Sequence, residues 1–394
     1  MKRSFQLAAF AVAIAATSAF AQQPPLKMGA INPFSGPMAQ YGAEVTRGFE
    51  MAADKVNGSG GLLGRRVQIV NGDASNPQQG IQAVEQLMNR DKVDFFGGTY
   101  TSGISNTASD SAMRFDRVYL ETIALAEDLT LRGLPNYLRT GPNAETFAIS
   151  TIDTLRDLVA PAIKKPFRDL KVWIEHEDSS YGSSIGQKQK RLLEAFGLKV
   201  VGFGSHSART VDLNDTVLRM KVAAPDVVVE TGYVADGNLL LKTMRDQGFK
   251  PAATVFIGTG DTPETLQAQG AAGVEGLLVI TYPRSDVSEK FAPGVKTFLE
   301  AYRAKYKSDP IQTQSLTSFV GSQILFEAIQ AAGSTEPQKV LAAAAKMDKP
   351  IGTYLNGFGV KFDKNFQNLR AVTTTVQWQD GKVTMPPGFQ SAYQ

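Results

Sequence analysis

The chain of 394 residues contains no cysteine. Disulfides, thiolate metal centres and cysteine nucleophiles are therefore excluded, and burial alone must hold the folded protein together. A dominant charge is missing too. Lys and Arg number 41 against 38 Asp and Glu, a net charge of +3, which gives no electrostatic reason to expect nucleic acid or an anionic membrane as partner. Beyond residue 21 no apolar run approaches the roughly 20 residues that a membrane span needs, and no low-complexity linker interrupts the chain. What remains is ordinary: 43% hydrophobic and 20% charged residues suffice for real cores.

The one distinctive apolar stretch is at the start. Lys2 and Arg3 precede an apolar segment at residues 7–16, and Ala19-Phe20-Ala21 then offers a small-x-small site before Gln22. That order predicts a signal peptide over residues 1–21, cleaved after Ala21, and an exported, soluble chain. No Cys follows, so no lipid anchor can form there. Loss of Lys2 and Arg3 would lower the net charge from +3 to +1. The length of the remainder suggests two domains.

After residue 21, short apolar runs alternate with amphipathic ones. Strands are expected at 26–31, 67–70, 93–97 and 118–122, with helices at 39–57, 76–90 and 102–114. Asn76 and Pro77 suit the cap and first position of a helix, and Asn57-Gly58-Ser59-Gly60-Gly61 suits a helix end. A second block repeats the rhythm, with strands at 170–175, 198–202, 226–230, 254–257 and 276–280 and helices at 183–196, 213–222, 236–247 and 263–269. Strands alternating with crossover helices predict an α/β protein with parallel sheets covered on both faces. Helices at 289–306, 314–332 and 337–347 follow, then late strands at 359–362 and 372–378 and a hairpin turn at 379–382.

Ligands of open α/β sheets sit beyond the carboxyl ends of strands. Six such junctions are chemically rich: residues 32–41, 99–103, 121–125, 178–182, 231–233 and 259–261. Thr99-Tyr100-Thr101-Ser102-Gly103 places hydroxyls at a helix start, which suits a carboxylate, although capping explains one such hydroxyl equally well. Tyr41, Tyr100, Tyr181 and Tyr233 all fall at junctions and could wall a small ligand; ordinary packing is the simpler account of any one of them. Gly182-Ser183-Ser184-Ile185-Gly186 matches the G-x-S-x-G pattern of hydrolases, but four residues separate it from the preceding strand, where the elbow needs none. Glu175-His176-Glu177-Asp178 resembles a metal cluster, yet successive strand residues point in opposite directions. It reads as a solvated strand end. Gly58–Gly61 lacks the Lys-Ser/Thr of a phosphate loop.

As a set, these motifs resemble a known family. Residues 27–36 (KMGAINPFSG) with Tyr41-Gly42, then 57–64 (NGSGGLLG), Asp73 with Asn76-Pro77, 97–110 (GGTYTSGISNTASD) and Tyr181-Gly182 are similar to the branched-chain amino-acid-binding proteins of ABC importers, over essentially the whole chain past residue 21. The resemblance implies two Rossmann-like lobes, a type I periplasmic binding protein fold, joined by a three-crossing hinge. It places lobe 1 at 26–142 plus 282–352 and lobe 2 at 143–281 plus 353–394. It further implies a periplasmic, non-enzymatic protein that closes on a small carboxylate and delivers it to an inner-membrane ABC permease. The expected protein acts as a monomer without cofactor, metal or nucleic acid.

The ligand contacts it implies are Tyr41, Tyr100, Thr101, Ser102, Ile123, Ala124, Leu125, Tyr181, Tyr233 and Asp261, with Ser102 foremost. Two departures bear on the ligand. Amino-acid binders of the family usually carry a hydroxyl residue where this chain has Leu125, and the acid that would pair with an ammonium falls at Asp261. The expected ligand is a hydrophobic or branched-chain amino acid or a relative. Aromatic or 2-oxo carboxylates without an amine are the alternative, a periplasmic sensor is a second, and a serine hydrolase a remote third. A transcription regulator of similar fold would need a DNA-binding helix pair and no export signal.

Overall fold

In a computed structural model, residues 23–285, 289 and 292–386 are described. The expected signal peptide lies outside the described residues. The first sheet holds β1 (Leu26–Asn32), β2 (Val67–Asp73), β3 (Phe95–Gly98), β4 (Tyr119–Glu121) and β5 (Tyr137–Arg139), in the order β2-β1-β3-β4-β5. All its pairings are parallel. The second holds β6 (Lys171–Glu177), β7 (Lys199–His206), β8 (Val227–Thr231), β9 (Ala253–Ile257) and β10 (Leu278–Thr281), edged late in the chain by β13 (Thr374–Gln379) and β14 (Lys382–Thr384). Its order is β14-β13-β10-β9-β8-β6-β7. A separate small pair joins β11 (Asp348–Lys349) to β12 (Val360–Lys361). Two α/β sheets, as expected, form the frame.

Each sheet is covered on both faces. Helices Ala39–Gly58 and Gln314–Ala332 pack together against one face of the first sheet, and Phe326 meets Phe95 edge to face there. Helices Pro77–Gln86 and Ser102–Met113 cover the other, burying Val84, Ile104 and Ala108 against Phe96 and Tyr119. Asn76 caps its helix as read from sequence, accepting the Gln79 N–H. In the second sheet every residue of β8 is buried, which is what a continuous Val-Val-Val run demands of a central strand. The hairpin between β13 and β14 turns on Asp380 and Gly381, both at positive φ, the conformation that the Asp-Gly pair favours.

Some elements escape the sequence pattern. β5 is three residues long, too short to show a period, and helix Ala144–Thr154 is capped by Asn143. The chain passes between the sheets after β5, after β10 and before β13. Before the last passage, residues 354–368 are fastened to the first sheet. Tyr354 donates to Glu327 of helix Gln314–Ala332 at 2.7 Å. The Arg139 N–H donates to the Phe366 carbonyl, and the Asn368 N–H to the Arg139 carbonyl, both at 2.9 Å. Gln367 and Asn368 then bind the Gly141 and Thr140 carbonyls. Such long-range polar ties leave no local periodicity to read.

Candidate functional site

The carboxyl ends of the two sheets face each other, and one chamber lies between them. It is lined from the first sheet by Tyr100, Ser102, Ile123, Ala124 and Leu125, and from the second by Tyr181, Tyr233, Gly258 and Thr259, with Tyr282 and Gln314 closing it. Its space, open mouth included, is about 330 Å³.

On the first-sheet side one carboxylate organises everything. Glu121 ends β4 fully buried. Its Oε1 accepts the N–H groups of Thr122, Ile123 and Ala124, each at 2.9 Å. Its Oε2 accepts the Thr99 N–H at 2.8 Å and the Ser105 hydroxyl at 2.5 Å. The loop after β3 and the loop after β4, both of which line the chamber, are thus tied to one side chain. Burial pushes the Glu121 pKa up to about 7, against the pull of these donors.

Ser102 begins helix Ser102–Met113, whose N-cap Thr101 makes no side-chain cap. The first N–H groups of the helix are therefore left for an anion. The Ser102 Oγ accepts the Ala126 N–H at 3.2 Å, and its own proton remains to be donated.

Aromatic rings cross the interface in a row. Tyr41 stacks on Tyr100 with centroids 5.5 Å apart, Tyr100 meets Tyr233 at 6.4 Å, and Tyr233 meets Tyr181 at 5.2 Å. Tyr181 donates to the Ile257 carbonyl at 2.8 Å, and Tyr282 donates to the Ile123 carbonyl. Burial raises the pKa of Tyr100, Tyr181, Tyr233 and Tyr282 above that of an ordinary phenol, so all four remain neutral donors.

Seven of the ten residues named from sequence line the chamber: Tyr100, Ser102, Ile123, Ala124, Leu125, Tyr181 and Tyr233. Three do not. Tyr41 stands behind Tyr100 and donates to Glu264 on the opposite lobe. Thr101 occupies the N-cap position without capping through its side chain, and its carbonyl accepts the Thr99 hydroxyl at 2.7 Å. Asp261 faces a neighbouring cavity with Arg284, Gln312 and Trp378, and accepts from Arg284 Nη1 at 3.0 Å.

Gly258, Thr259, Tyr282 and Gln314 were not named as contacts, although Thr259 lies in the junction 259–261 read from sequence. Gly258 sits at a φ of +74°, and a side chain there would meet the Tyr181 hydroxyl at 2.8 Å. The run 175–177 also differs from its reading as a solvated strand end, since Glu175, His176 and Glu177 are all buried. Glu175 binds His206 and Trp173, and Glu177 receives the Ser179 and Gly182 N–H groups at the start of helix Ser180–Ala195. Ser184 lies inside that helix and accepts the Glu127 N–H across the lobes at 3.0 Å. It is a lobe contact where a nucleophile elbow would need a sharp turn.

The profile of the periplasmic binding protein family matches residues 25–382. The chain belongs to that family. Leu/Ile/Val-binding protein homolog 7 of Brucella suis biovar 1 (strain 1330) is 36% identical to it over 97% of this chain and 96% of its own. Homolog 8 of the same strain is 37% identical over 96% and 95%. Among solved structures, a leucine binding protein from Thermotoga maritima MSB8 superimposes with a TM-score of 0.79 at 19% identity, covering 92% of this chain and 97% of that one. A solute binding protein of R. palustris, solved in complex with 4-hydroxybenzoate, gives 0.77 at 21% identity, covering 92% and 95%. These likenesses establish two lobes of the type I fold. The protein is a binding protein of the ABC-transporter type and not an enzyme.

Proposed function

We propose that this periplasmic binding protein captures a small carboxylate lacking an ammonium group, such as an aromatic or 2-oxo acid, and presents it to an inner-membrane ABC permease. One observation carries the reading: none of the residues lining the chamber is Asp, Glu, Lys, Arg or His. An ammonium enclosed there would find only hydroxyls, an amide and carbonyls, which accept its hydrogen bonds but leave its charge without a counter-ion. Asp261, the acid that family resemblance offers, has Arg284 as partner.

The carboxylate is assigned to the open start of helix Ser102–Met113 and the Ser102 hydroxyl, where N–H dipoles favour negative charge. The rings of Tyr100, Tyr181 and Tyr233 and the side chain of Leu125 suit the apolar remainder. Capture on one lobe followed by closure of the other gives the form that a permease would recognise.

A thermal-shift screen of the chain from Gln22 tests this. It would compare leucine, isoleucine, valine and phenylalanine with their 2-oxo acids and with benzoates. A ligand at a hundred times its Kd adds about 2.7 kcal/mol of stability. Stabilisation by 2-oxo acids or benzoates and not by the amino acids is expected; the reverse order would overturn the proposal.

A further inference from the structure

The second lobe holds a polar cluster that the ligand chamber does not use. His206 ends β7, Glu230 lies near the end of β8 and Asp236 sits in the first turn of helix Val234–Asp246. One ligand-type atom from each lies within 4.8 Å of the others. All three residues are buried, and Glu230 completely so.

Both carboxylate oxygens of Glu230 lack a hydrogen-bond partner. Leaving an ionised carboxylate in that state is costly. The backbone keeps room around it. A Cβ at Gly232 would come within 2.2 Å of Glu230 Oε1 and 2.3 Å of Asp236 Oδ2, so any side chain there would have to displace the two carboxylates.

We propose that His206, Glu230 and Asp236 bind a divalent transition-metal ion of the zinc class. The geometry suits it in three respects. His206 Nε2 lies 3.1 Å from Asp236 Oδ2, the edge expected between two ligands that each sit about 2.0–2.2 Å from one ion. His206 Nδ1 lies 3.0 Å from Glu175 Oε1, so Glu175 can accept a hydrogen bond from Nδ1–H and leave the Nε2 lone pair free to ligate. Glu175 is itself held by the Trp173 indole N–H at 3.0 Å. A carboxylate behind a ligating histidine is the usual outer-shell support of such ions. Finally, three carboxyl groups, those of Glu175, Glu230 and Asp236, meet around one imidazole, a surplus of acids that a divalent cation would offset.

The site has a structural use. Asp236 also accepts the Tyr233 N–H, at 3.0 and 3.2 Å from its two oxygens. An ion at Asp236 would fix the turn that carries Tyr233 into the ligand chamber.

The test uses the untagged exported chain. Protein equilibrated with Zn2+ and desalted should retain one equivalent by elemental analysis, melt higher than the same sample after EDTA, and regain the difference when Zn2+ is returned. Co2+ in place of Zn2+ should give visible d–d absorption of a nitrogen- and oxygen-ligated ion. Glu230→Gln should lose the bound equivalent and the EDTA sensitivity. Far less than one equivalent in the native protein, with no effect of EDTA on melting, would overturn the site and leave the cluster held by protons. Retention of metal by Glu230→Gln would equally overturn the assignment. If that variant does not fold, the Co2+ spectrum and Zn2+ stoichiometry of the native chain decide.

Discussion

Asp261 and Arg284 hold each other at 3.0 Å across the second lobe's side of the cleft, and this contact turns the family's expected ammonium partner away from the ligand chamber. Asp261→Asn should therefore leave ligand affinity unchanged, while lowering the melting temperature through the weakened ion pair. Titration calorimetry with the best ligand of the screen checks it. A loss of tenfold or more, about 1.4 kcal/mol, would return Asp261 to the site and with it the case for an amino acid.

Ser102 offers the opposite expectation. Its hydroxyl is buried at the head of an uncapped helix, beside the N–H groups assigned to the carboxylate. Ser102→Ala removes one charge-assisted hydrogen bond and should weaken binding about tenfold. It also frees the Ala126 N–H, so a modest stability loss should accompany it. Undiminished affinity would place the carboxylate elsewhere in the chamber.

The reach of the sequence is clearest at these two residues. Ser102 was legible because its neighbours form a strand-to-helix junction, and in α/β sheets such junctions converge on one crevice. The Val-Val-Val run of β8 and the Asp-Gly turn were legible for the same reason: local pattern and local structure coincide. Asp261 lies at a junction too, but its partner Arg284 arrives from beyond β10 and no local rule places it. Tyr282 and Gln314 reach the chamber from the second passage between sheets and from the head of a late helix. Their roles depend on three-dimensional closure alone. His206, Glu230 and Asp236 come together from two strand ends on either side of β6 and a helix start, with no spacing that resembles a metal motif. The contiguous run at 175–178 drew attention instead, and it splits between a histidine partner and a helix start.

Glu264 links the lobes through first-lobe partners. It accepts from the Tyr41 hydroxyl and, at 2.9 Å, from Gln40 Nε2. Both contacts exist only while the lobes are together, so they stabilise the closed form. Glu264→Ala should raise the ligand's dissociation rate, with association little changed, since interface substitutions act chiefly on departure. The effect should be up to about tenfold, given partial exposure of the contact. Stopped-flow measurement of both rates checks it, and equal dissociation rates would remove Glu264 from closure.

Glu121 supplies a pH dependence whose sign can be worked out. Burial raises its pKa in the folded state to about 7 from an ordinary 4.5, so the folded protein binds this proton more tightly than the unfolded chain. Its contribution to stability is then fully present below pH 4.5 and is lost as pH rises through about 7. At most that loss is about 3 kcal/mol, at 1.36 kcal/mol per pKa unit. Glu121→Gln cannot titrate, so its melting temperature should fall less than the native protein's between pH 5 and pH 8. The variant also cannot accept all five donors as a carboxylate does, so it should be less stable than the native chain at every pH and bind ligand more weakly. Parallel melting profiles for the two proteins would show that the donors outweigh burial and that Glu121 stays ionised throughout. A variant of native stability with native affinity would show that the two chamber loops do not depend on this side chain.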